Sequence, residues 1–305
     1  MLMTPTKDQY LGCIFGLALG DALGAPYEGG PIERFVWRLI GRTKDGLPRW
    51  TDDTQMSLDL AESLLSLGVL DQNDLAIRFA SSYRWSRGYG PSTARLLKRV
   101  RRRENWATAS KTIYKDGSFG NGAAMRASII ALFFHRDFKT LLRETVRAAE
   151  VTHAHPLGIE GAILIAVATH GLLYKESSVQ ILERVGSSCK RDEFHKQLVV
   201  VRMWLSNNDT ITPAEAARTL GNGITAQSSC TTALYIALRH LNLPFDELLS
   251  FSRACGGDVD TISAMAGTLW GAYNGAGSIS AIEVEQHSKL ECVAIKLFEN
   301  ASAPD

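Results

Sequence analysis

The sequence predicts an all-α fold, and three observations support that class. Apolar residues recur at helical spacing in several segments of the 305-residue chain. Alternation of apolar and polar residues with a period of two is hard to find, and no β-branched run repeats with hairpin dipeptides between. No Pro-, Gly- or Ser-rich linker, internal repeat or low-complexity segment divides the chain. We therefore expect one domain over residues 1–305.

The predicted helices follow one another along the chain. The first spans residues 55–67, where Leu and Met side chains form a broad apolar stripe with Asp59 and Glu62 between them. Thr212 followed by Pro213, with Glu215 soon after, indicates a later helix start. The same periodicity predicts helices over residues 141–151, 161–173, 197–204, 231–241 and 262–273.

Composition and charge are typical of a soluble globular protein, with 45% apolar and 21% charged residues. Lys and Arg (33) nearly balance Asp and Glu (32), so no overall field would attract nucleic acid or a membrane. The local basic run at residues 98–103 is interpreted as a solvated helix face rather than a polymer contact. Five scattered cysteines without a C-x-x-C pair favour a reducing compartment. The polar first ten residues do not resemble a secretory signal, and we expect a cytoplasmic protein without membrane association.

Glycines cluster in three short loops, at residues 88–90, 117–122 and 256–257, and each loop stands before a helix. Glycine permits positive φ and a close approach of backbone amides to a ligand. Amides at a helix N-terminus favour anions. Each loop alone is most simply a turn, but several converging loops would suit a ligand that carries phosphate.

Two acidic clusters open helices, Thr51-Asp52-Asp53-Thr54 and the sequence GGDVDT at residues 256–261. Either cluster alone is explained equally well as helix capping, because Asp and Thr are preferred N-caps and acids complement the helix dipole. Together they supply only oxygen donors, which suit Mg²⁺ or Mn²⁺ rather than Zn²⁺. The helix after the second cluster is apolar, and buried carboxylates are costly unless paired or bound to metal. If the two helix starts meet, two metals could share a bridging carboxylate.

These motifs, in this order, resemble the ADP-ribosylglycohydrolases, the dinitrogenase-reductase-activating glycohydrolase group. The N-terminal match is GDALG at residues 20–24, followed by Glu28 and then by Thr51-Asp52-Asp53. Further matches are GYG at 88–90, GSFGNGAAMR at 117–126, THA at 152–154 and GGDVDT at 256–261. The resemblance covers about residues 10–275, the expected core, and the ordered set is far more specific than any one motif.

The resemblance implies a compact domain of orthogonal helices with a binuclear site for two Mg²⁺ (or Mn²⁺) ions in a cleft. It implies a hydrolase that releases ADP-ribose from a modified acceptor. Glu28, Asp53 and Asp260 are the expected catalytic residues, and Asp260 the expected bridge between the metals. The implied metal ligands are Thr51, Asp52, Asp53, Asp258, Asp260 and Thr261. The implied ADP-ribose contacts are Gly88, Tyr89, Gly90, Ser118, Phe119, Gly120, Asn121, Gly122 and His153.

The acceptor stays open. A modified protein side chain, a modified nucleic acid and O-acetyl-ADP-ribose are all compatible with the family. The stretches at 117–126 and 152–158 are closer to the serine and O-acetyl-ADP-ribose subgroup than to the arginine-specific one. Phe119 stands where that subgroup has tyrosine, and residues 158–161 (GIEG) depart from its usual GYNG. Two other functions are weighed: a catalytically silent ADP-ribose-binding protein, and a metal-dependent phosphohydrolase of the diphosphate.

Three neighbouring side chains receive simpler interpretations. His153 and His155 lie two residues apart and do not have the spacing of a helical zinc pair, so neither is a metal ligand. We expect His155 to be structural. Arg126 could contact a phosphate, and a structural ion pair is slightly favoured. The expected oligomeric state is a monomer.

Overall fold

The all-α class is confirmed in the computed structural model, which describes residues 4–207, 210–279 and 282–302. Those residues contain no strand and only two isolated β-bridges. The α-helices are α1 (Lys7–Gly24), α2 (Pro31–Ile40), α3 (Asp52–Leu67), α4 (Gln72–Ser82), α5 (Pro91–Arg101), α6 (Trp106–Ile113), α7 (Ala127–Phe134), α8 (Phe138–Glu150), α9 (Pro156–Leu173), α10 (Ser178–Ser188), α11 (Asp192–Asn207), α12 (Pro213–Leu220), α13 (Ala226–Arg239), α14 (Phe245–Cys255), α15 (Val259–Asn274) and α16 (His287–Ser302). Short 3₁₀ helices span Ala25–Tyr27, Trp85–Arg87, Asn121–Arg126 and Ala276–Ser278. The extent of the domain, residues 1–305, stays a prediction, and its first three and last three residues lie outside the described ranges.

Each segment with helical periodicity forms a helix, but most of these helices begin earlier than predicted. α3 begins at Asp52 rather than residue 55, and α9 begins at Pro156 rather than residue 161. The first turn of α3 is polar, and that of α9 contains Pro156 and Gly158, so an apolar stripe does not mark either start. Thr212 accepts a hydrogen bond from the Glu215 amide (3.2 Å), which confirms the predicted start of α12. Periodicity does not predict α1, because this helix is buried on almost every side and has no apolar stripe.

Four glycines, spaced by four residues, let α1 pack directly on the backbone of α15. They are Gly12, Gly16, Gly20 and Gly24. A Cβ on Gly16 would lie 2.1 Å from the carbonyl oxygen of Gly267, and one on Gly20 would lie 2.1 Å from that of Ser263. Gly24 lies against Asp260 and Gly12 against Gly271, so the two helices run antiparallel. This packing brings the end of α1 beside the first turn of α15.

Replacing Gly16 by alanine is expected to destabilise the protein, because the added methyl group would overlap the backbone of α15. Overpacking of this kind costs about 1–3 kcal/mol and occasionally more. The measurement is the midpoint of thermal or urea unfolding. Gly186 in α10 faces open space, with no atom within 4 Å of the position that a Cβ would take, so Gly186→Ala is the matched control and should stabilise slightly. Equal or higher stability of Gly16→Ala would contradict the close packing of α1 on α15.

The helices α9 and α15 form the centre of the core, and nearly all their residues are buried. Gln9 at the start of α1 donates to the carbonyl oxygens of Leu173 (3.0 Å) and Ala272 (2.8 Å), which satisfies helix-end acceptors of α9 and α15. Among the described residues α9 alone is long and apolar enough to cross a membrane. Since 78% of that stretch is buried inside the protein, as in a core helix, the match is weak evidence for a span.

Candidate metal centre and cleft

The start of α3 is fixed by a buried carboxylate from α1. Thr51 is the N-cap of α3, and its hydroxyl accepts a hydrogen bond from the Asp53 amide (3.3 Å). Asp21 accepts from the backbone amides of Thr51 (2.9 Å) and Thr54 (3.0 Å) and from the Thr54 hydroxyl (2.6 Å). Sequence reasoning gave Asp21 no role. Its position in an otherwise apolar helix was the available signal, because a buried acid requires partners.

The start of α15 is held by two glycines in the left-handed region. Gly256 (φ 65°) and Gly257 (φ 78°) lead into Asp258, and a Cβ on Gly257 would lie 1.9 Å from the carbonyl oxygen of Asn222. That same oxygen accepts from the Asp258 amide (2.8 Å). The Asp258 carboxylate accepts from the Asn121 side-chain amide (2.5 Å). The glycine pair therefore aims the first turn of α15 at the loop that carries Asn121.

The two helix starts meet, as the metal hypothesis requires. The Thr261 hydroxyl donates to Asp53 across the junction (3.3 Å), and the Thr51 hydroxyl donates to the same oxygen (3.1 Å). Carboxylate oxygens of Asp21, Asp53 and Asp260 lie within 4.8 Å of one another. A second group with the same spacing consists of Glu28, Asp258 and Asp260. Asp260 thus belongs to both groups. Asp52 belongs to neither and lines the adjoining cleft.

Burial and mutual repulsion make this cluster costly without a cation. Burial first, and neighbouring carboxylates second, raise the pKa of Asp52, Asp53 and Asp260 well above the usual range for aspartate. For Glu28 burial and then the charge of Asp258 raise the pKa to about 7. None of these side chains forms an ion pair with Lys, Arg or His in the part of the chain that the structure describes.

The donor set fits a divalent cation. Oδ1 of Asp53 is buried and has no hydrogen-bond partner among the described residues. A buried acceptor of this kind is costly unless another group satisfies it. The carboxylate and hydroxyl oxygens of this cluster are hard donors, and neither acidic group includes His or Cys. Hard donors of this kind prefer Mg²⁺ or Mn²⁺.

A cleft of about 340 Å³ opens beside the acidic cluster. Its lining includes most of the residues singled out from the sequence: Glu28, Asp52, Gly88, Tyr89, Gly90, Ser118, Gly120, Asn121, Gly122, His153, Asp258, Asp260 and Thr261. Thr51 and Asp53 are buried and do not line the cleft. Asp53 belongs to the acidic cluster, and the Thr51 hydroxyl donates to it. Phe119 does not line the cleft: it is 46% exposed, and its ring lies edge-on to His155. Sequence reasoning missed Tyr114 and Ile224, which also line the cleft and are exposed.

Several neighbours of the cleft are structural. His155 is the N-cap of α9, where Nδ1 accepts from the Leu157 amide (3.2 Å), as expected for a structural histidine. Glu160, at which the sequence departs from the resembling subgroup, accepts from the amides of Lys190 (3.0 Å) and Arg191 (2.9 Å) ahead of α11. Tyr89, in contrast, lines the cleft, and its ring packs edge-to-face on Tyr83, with ring centroids 4.9 Å apart. The departure at Glu160 therefore serves the fold.

The ion pair expected for Arg126 is wrong. Its guanidinium is buried and forms no ion pair within the described residues. It donates instead to the carbonyl oxygens of Gly122 and Ala148 and to the Thr152 hydroxyl. Carbonyl and hydroxyl acceptors thus take both terminal nitrogens in place of a carboxylate, while the buried Nε has no hydrogen-bond partner among the described residues.

A larger cavity of about 460 Å³, between α10, α11 and α13, shares no residue with the cleft. Its lining residues include no carboxylate and no histidine. The acidic cleft is therefore the better candidate for a catalytic site, although it is the smaller of the two.

Comparisons with known proteins identify a family for nearly the whole chain. A family model described as ADP-ribosylglycohydrolase matches residues 3–304. An uncharacterized protein of Archaeoglobus fulgidus is 32% identical over 309 residues, which cover 96% of this chain and 97% of the relative. The ADP-ribosylhydrolase ARH3 of Bos taurus is 34% identical over 313 residues, which cover 88% and 85% of the two chains. A solved structure titled ADP-ribosylglycohydrolase-related protein complex superposes with a TM-score of 0.70 at 27% identity and covers 97% of this chain and 98% of that one.

Proposed function

The chain belongs to the ADP-ribosylglycohydrolase family, and we propose that it releases ADP-ribose from a modified acceptor with the help of two Mg²⁺ or Mn²⁺ ions. The carrying observation is that Asp260 belongs to both groups of carboxylates at the base of the cleft. One carboxylate shared by two oxygen-donor groups is the arrangement that a pair of metals needs. The resident ligands would be Thr51, Asp52, Asp53, Asp258, Asp260 and Thr261.

The proposed reaction is hydrolysis at the anomeric carbon of the distal ribose. The oxygen of a water bonds to that carbon, the bond from the carbon to the acceptor atom breaks, and the acceptor leaves with a proton. Bound divalent cations supply Lewis-acid chemistry, which holds ribose hydroxyls and makes a nearby water more acidic. Carboxylates of the acidic cluster would stabilise positive charge that develops on the sugar ring.

Glu28 is the proposed proton-transfer residue. It lies at the edge of the acidic cluster and lines the cleft. Without a bound cation, burial and then the charge of Asp258 raise its pKa to about 7, close to the pH at which a proton-transfer group would act. A Glu28 carboxylate would accept the proton of the attacking water, and a Glu28 carboxylic acid would donate one to the leaving acceptor.

The glycine loops are the proposed cradle for the diphosphate and ribose. The loop at residues 88–90 stands directly before α5, and its Gly88 (φ 86°) lies beside Asp52. The stretch at 118–122 leads into the 3₁₀ helix Asn121–Arg126 and includes its first two residues, and Gly120 and Gly122 lie against the His153 ring. Backbone amides at such sites bind anionic oxygens without a bulky side chain in the way. Phe119 does not line the cleft and is not part of the proposed cradle.

A turnover assay on a panel of linkages tests the proposal. The panel contains arginine-linked and serine-linked ADP-ribosyl peptides, an ADP-ribosylated oligonucleotide and O-acetyl-ADP-ribose, each with Mg²⁺ and with EDTA. Free ADP-ribose from any member supports the proposal, and the preferred member names the acceptor. Release of AMP and ribose phosphate would indicate a phosphohydrolase instead. ADP-ribose binding without any product would indicate a silent binding protein.

Metal removal is expected to affect both activity and stability. EDTA should abolish turnover, and Mg²⁺ or Mn²⁺ should restore it. A cation that binds the folded state alone at a hundred times its Kd adds about 2.7 kcal/mol to stability, roughly a 5 °C rise in Tm for a protein of this size. Calorimetry at matched ionic strength, with Na⁺ as the control, measures the shift. Full activity after exhaustive chelation, with no metal left in the protein, would contradict the proposal.

A further inference from the structure

A buried arginine joins the glycine loop to the residue before His153. The Arg126 side chain is 1% exposed, and its guanidinium lies 5.0 Å from the centre of the Phe79 ring. One terminal nitrogen donates to the carbonyl oxygen of Gly122. The other donates to the Thr152 hydroxyl (2.8 Å) and to the carbonyl oxygen of Ala148 (3.2 Å). Arg126 therefore links the glycine loop at Gly122 to Thr152, the residue before His153.

The contacts of Thr152 decide the direction of its hydrogen bond to the histidine. The Thr152 oxygen lies 2.7 Å from Nδ1 of His153 and accepts from Arg126, which can only donate. Within the described residues, Nδ1 of His153 is the only acceptor in hydrogen-bond reach of the Thr152 hydroxyl hydrogen. A hydroxyl hydrogen that is to have an acceptor here must donate to Nδ1, and this arrangement leaves the ring proton of neutral His153 on Nε2.

The opposite edge of the His153 ring faces the glycine loop. A Cβ on Gly122 would lie 2.9 Å from Nε2, and one on Gly120 would lie 3.2 Å from it. His153 lines the cleft, and Nε2 has no hydrogen-bond partner among the residues that the structure describes. A donor with no protein acceptor, at the wall of a cleft, is available to a ligand oxygen.

We propose that Arg126 and Thr152 are positioning residues that fix the Nε2–H tautomer of His153, so that this histidine presents a permanent hydrogen-bond donor to a phosphate or ribose oxygen of ADP-ribose. The choice of ligand rests on the proposed function. The proposed direction of the hydrogen bonds from Arg126 through Thr152 to His153 does not rest on it, because it is argued from those contacts alone. In histidines, the hydrogen bond made by one ring nitrogen commonly decides whether the other nitrogen carries the proton.

The electrostatics of the pocket agree with a neutral ring. Burial, and then the positive charge of Arg126, lower the pKa of His153 to about 3. Burial lowers the pKa of Arg126 itself to about 9, so the guanidinium remains charged at neutral pH. A neutral imidazole has one donor nitrogen and one acceptor nitrogen, and Thr152 occupies the acceptor.

The tautomer can be measured without any substrate. In ¹⁵N-labelled protein at neutral pH, the His153 resonances should show an unprotonated Nδ1 and a protonated Nε2, assigned with a His153→Gln spectrum. Thr152→Val keeps the size of the side chain and removes the hydroxyl, so the proton should redistribute between the two nitrogens. Thr152→Ser should restore the wild-type pattern. A wild-type ring protonated on Nδ1, or on both nitrogens, would overturn the inference.

The same variants test ligand binding. Loss of a fixed donor to a charged oxygen should weaken ADP-ribose binding about tenfold in Thr152→Val, measured by calorimetry with Mg²⁺ present, and Thr152→Ser should recover it. KM should rise with Kd while kcat changes little. Thr145→Val is the matched control, because it removes a buried hydroxyl on α8 whose only hydrogen-bond partner among the described residues is the Leu141 carbonyl (2.8 Å). Wild-type affinity in Thr152→Val would overturn the inference.

The two measurements separate this inference from the proposed function. If wild-type protein shows the Nε2–H tautomer but does not bind ADP-ribose, the ligand and the proposed function are wrong together, and the positioning of His153 stands. If ADP-ribose binds and is released from a substrate while the tautomer is the other one, the proposed function stands and the positioning by Arg126 and Thr152 is wrong. Should Thr152→Val fail to fold, the wild-type spectrum and Thr152→Ser still decide.

Discussion

Replacing Asp260 by asparagine is expected to lower kcat about a thousandfold, the size of effect that accompanies loss of a preorganised charge in an active site. Asp260 is the carboxylate common to both acidic groups, so its loss would disturb both proposed metal positions at once. Asparagine keeps the shape of the side chain, and its carbonyl oxygen can still accept from the Thr261 amide, as Asp260 does (2.8 Å). The measurement is kcat with saturating Mg²⁺, alongside Tm with Mg²⁺ and with EDTA.

Stability distinguishes a metal ligand from a helix cap. As an ordinary first-turn acid, Asp260 would contribute about 1 kcal/mol, and its replacement would lower Tm under all conditions. In the acidic cluster the neutral asparagine removes a repelling charge, so the metal-free variant should be at least as stable as the metal-free wild type. Mg²⁺ should then no longer raise Tm. Asp192→Asn, which replaces an exposed first-turn acid of α11, is the matched control and should leave kcat unchanged. Normal turnover combined with a lower Tm in Asp260→Asn would show that Asp260 stabilises the start of α15 and is not a metal ligand.

The all-α class could be predicted because amphipathic helices such as α3 and α8 leave their period in the sequence. Helix α1, which positions the site, could not be predicted in this way, because it is buried on nearly all sides and a uniformly apolar helix has no apolar stripe. Its packing on α15 did leave a signal in the glycines at residues 12, 16, 20 and 24. That signal is a spacing of small residues, which a search for hydrophobic periodicity does not detect.

Most members of the acidic cluster were predictable, but Asp21 and the hydrogen bonds that support the cluster were not. Two helix starts with only oxygen donors indicated a site for hard cations, and those starts lie together. The hydrogen bonds from Thr51 and Thr54 to Asp21 were not predictable, since they join α1 and α3 across about thirty residues of chain. Arg126 shows the same limit. An arginine near a phosphate loop suggests an ion pair, whereas the fold surrounds it with carbonyl and hydroxyl acceptors.

Replacing Glu28 by glutamine is expected to lower kcat by about 10²- to 10⁴-fold, the usual cost of losing a general acid or base. Glutamine keeps the size and the hydrogen-bonding atoms but cannot take or give the proton. The surrounding backbone should stay in place. The carbonyl oxygen of Ala25 accepts a hydrogen bond from the Glu28 amide (3.2 Å), and Arg253 lies over the Tyr27 ring. ADP-ribose affinity should change little, since the glycine loops and metal ligands are the proposed source of most of that binding.

The decisive comparison is kcat against the calorimetric Kd for ADP-ribose in Glu28→Gln and in Glu33→Gln. Glu33 lies five residues on, and its carboxylate accepts from the Gly30 amide (3.0 Å), a contact that a glutamine oxygen can keep. Both variants replace one carboxyl group by an amide in the same segment, but only Glu28 lines the cleft and belongs to an acidic group. If proton transfer is the role of Glu28, its variant loses turnover and keeps affinity, while Glu33→Gln keeps both. A near-normal kcat in Glu28→Gln would show that the reaction does not need proton transfer by Glu28. Equal losses of kcat in the two variants would show that the effect comes from removing a carboxyl group from this segment rather than from proton transfer.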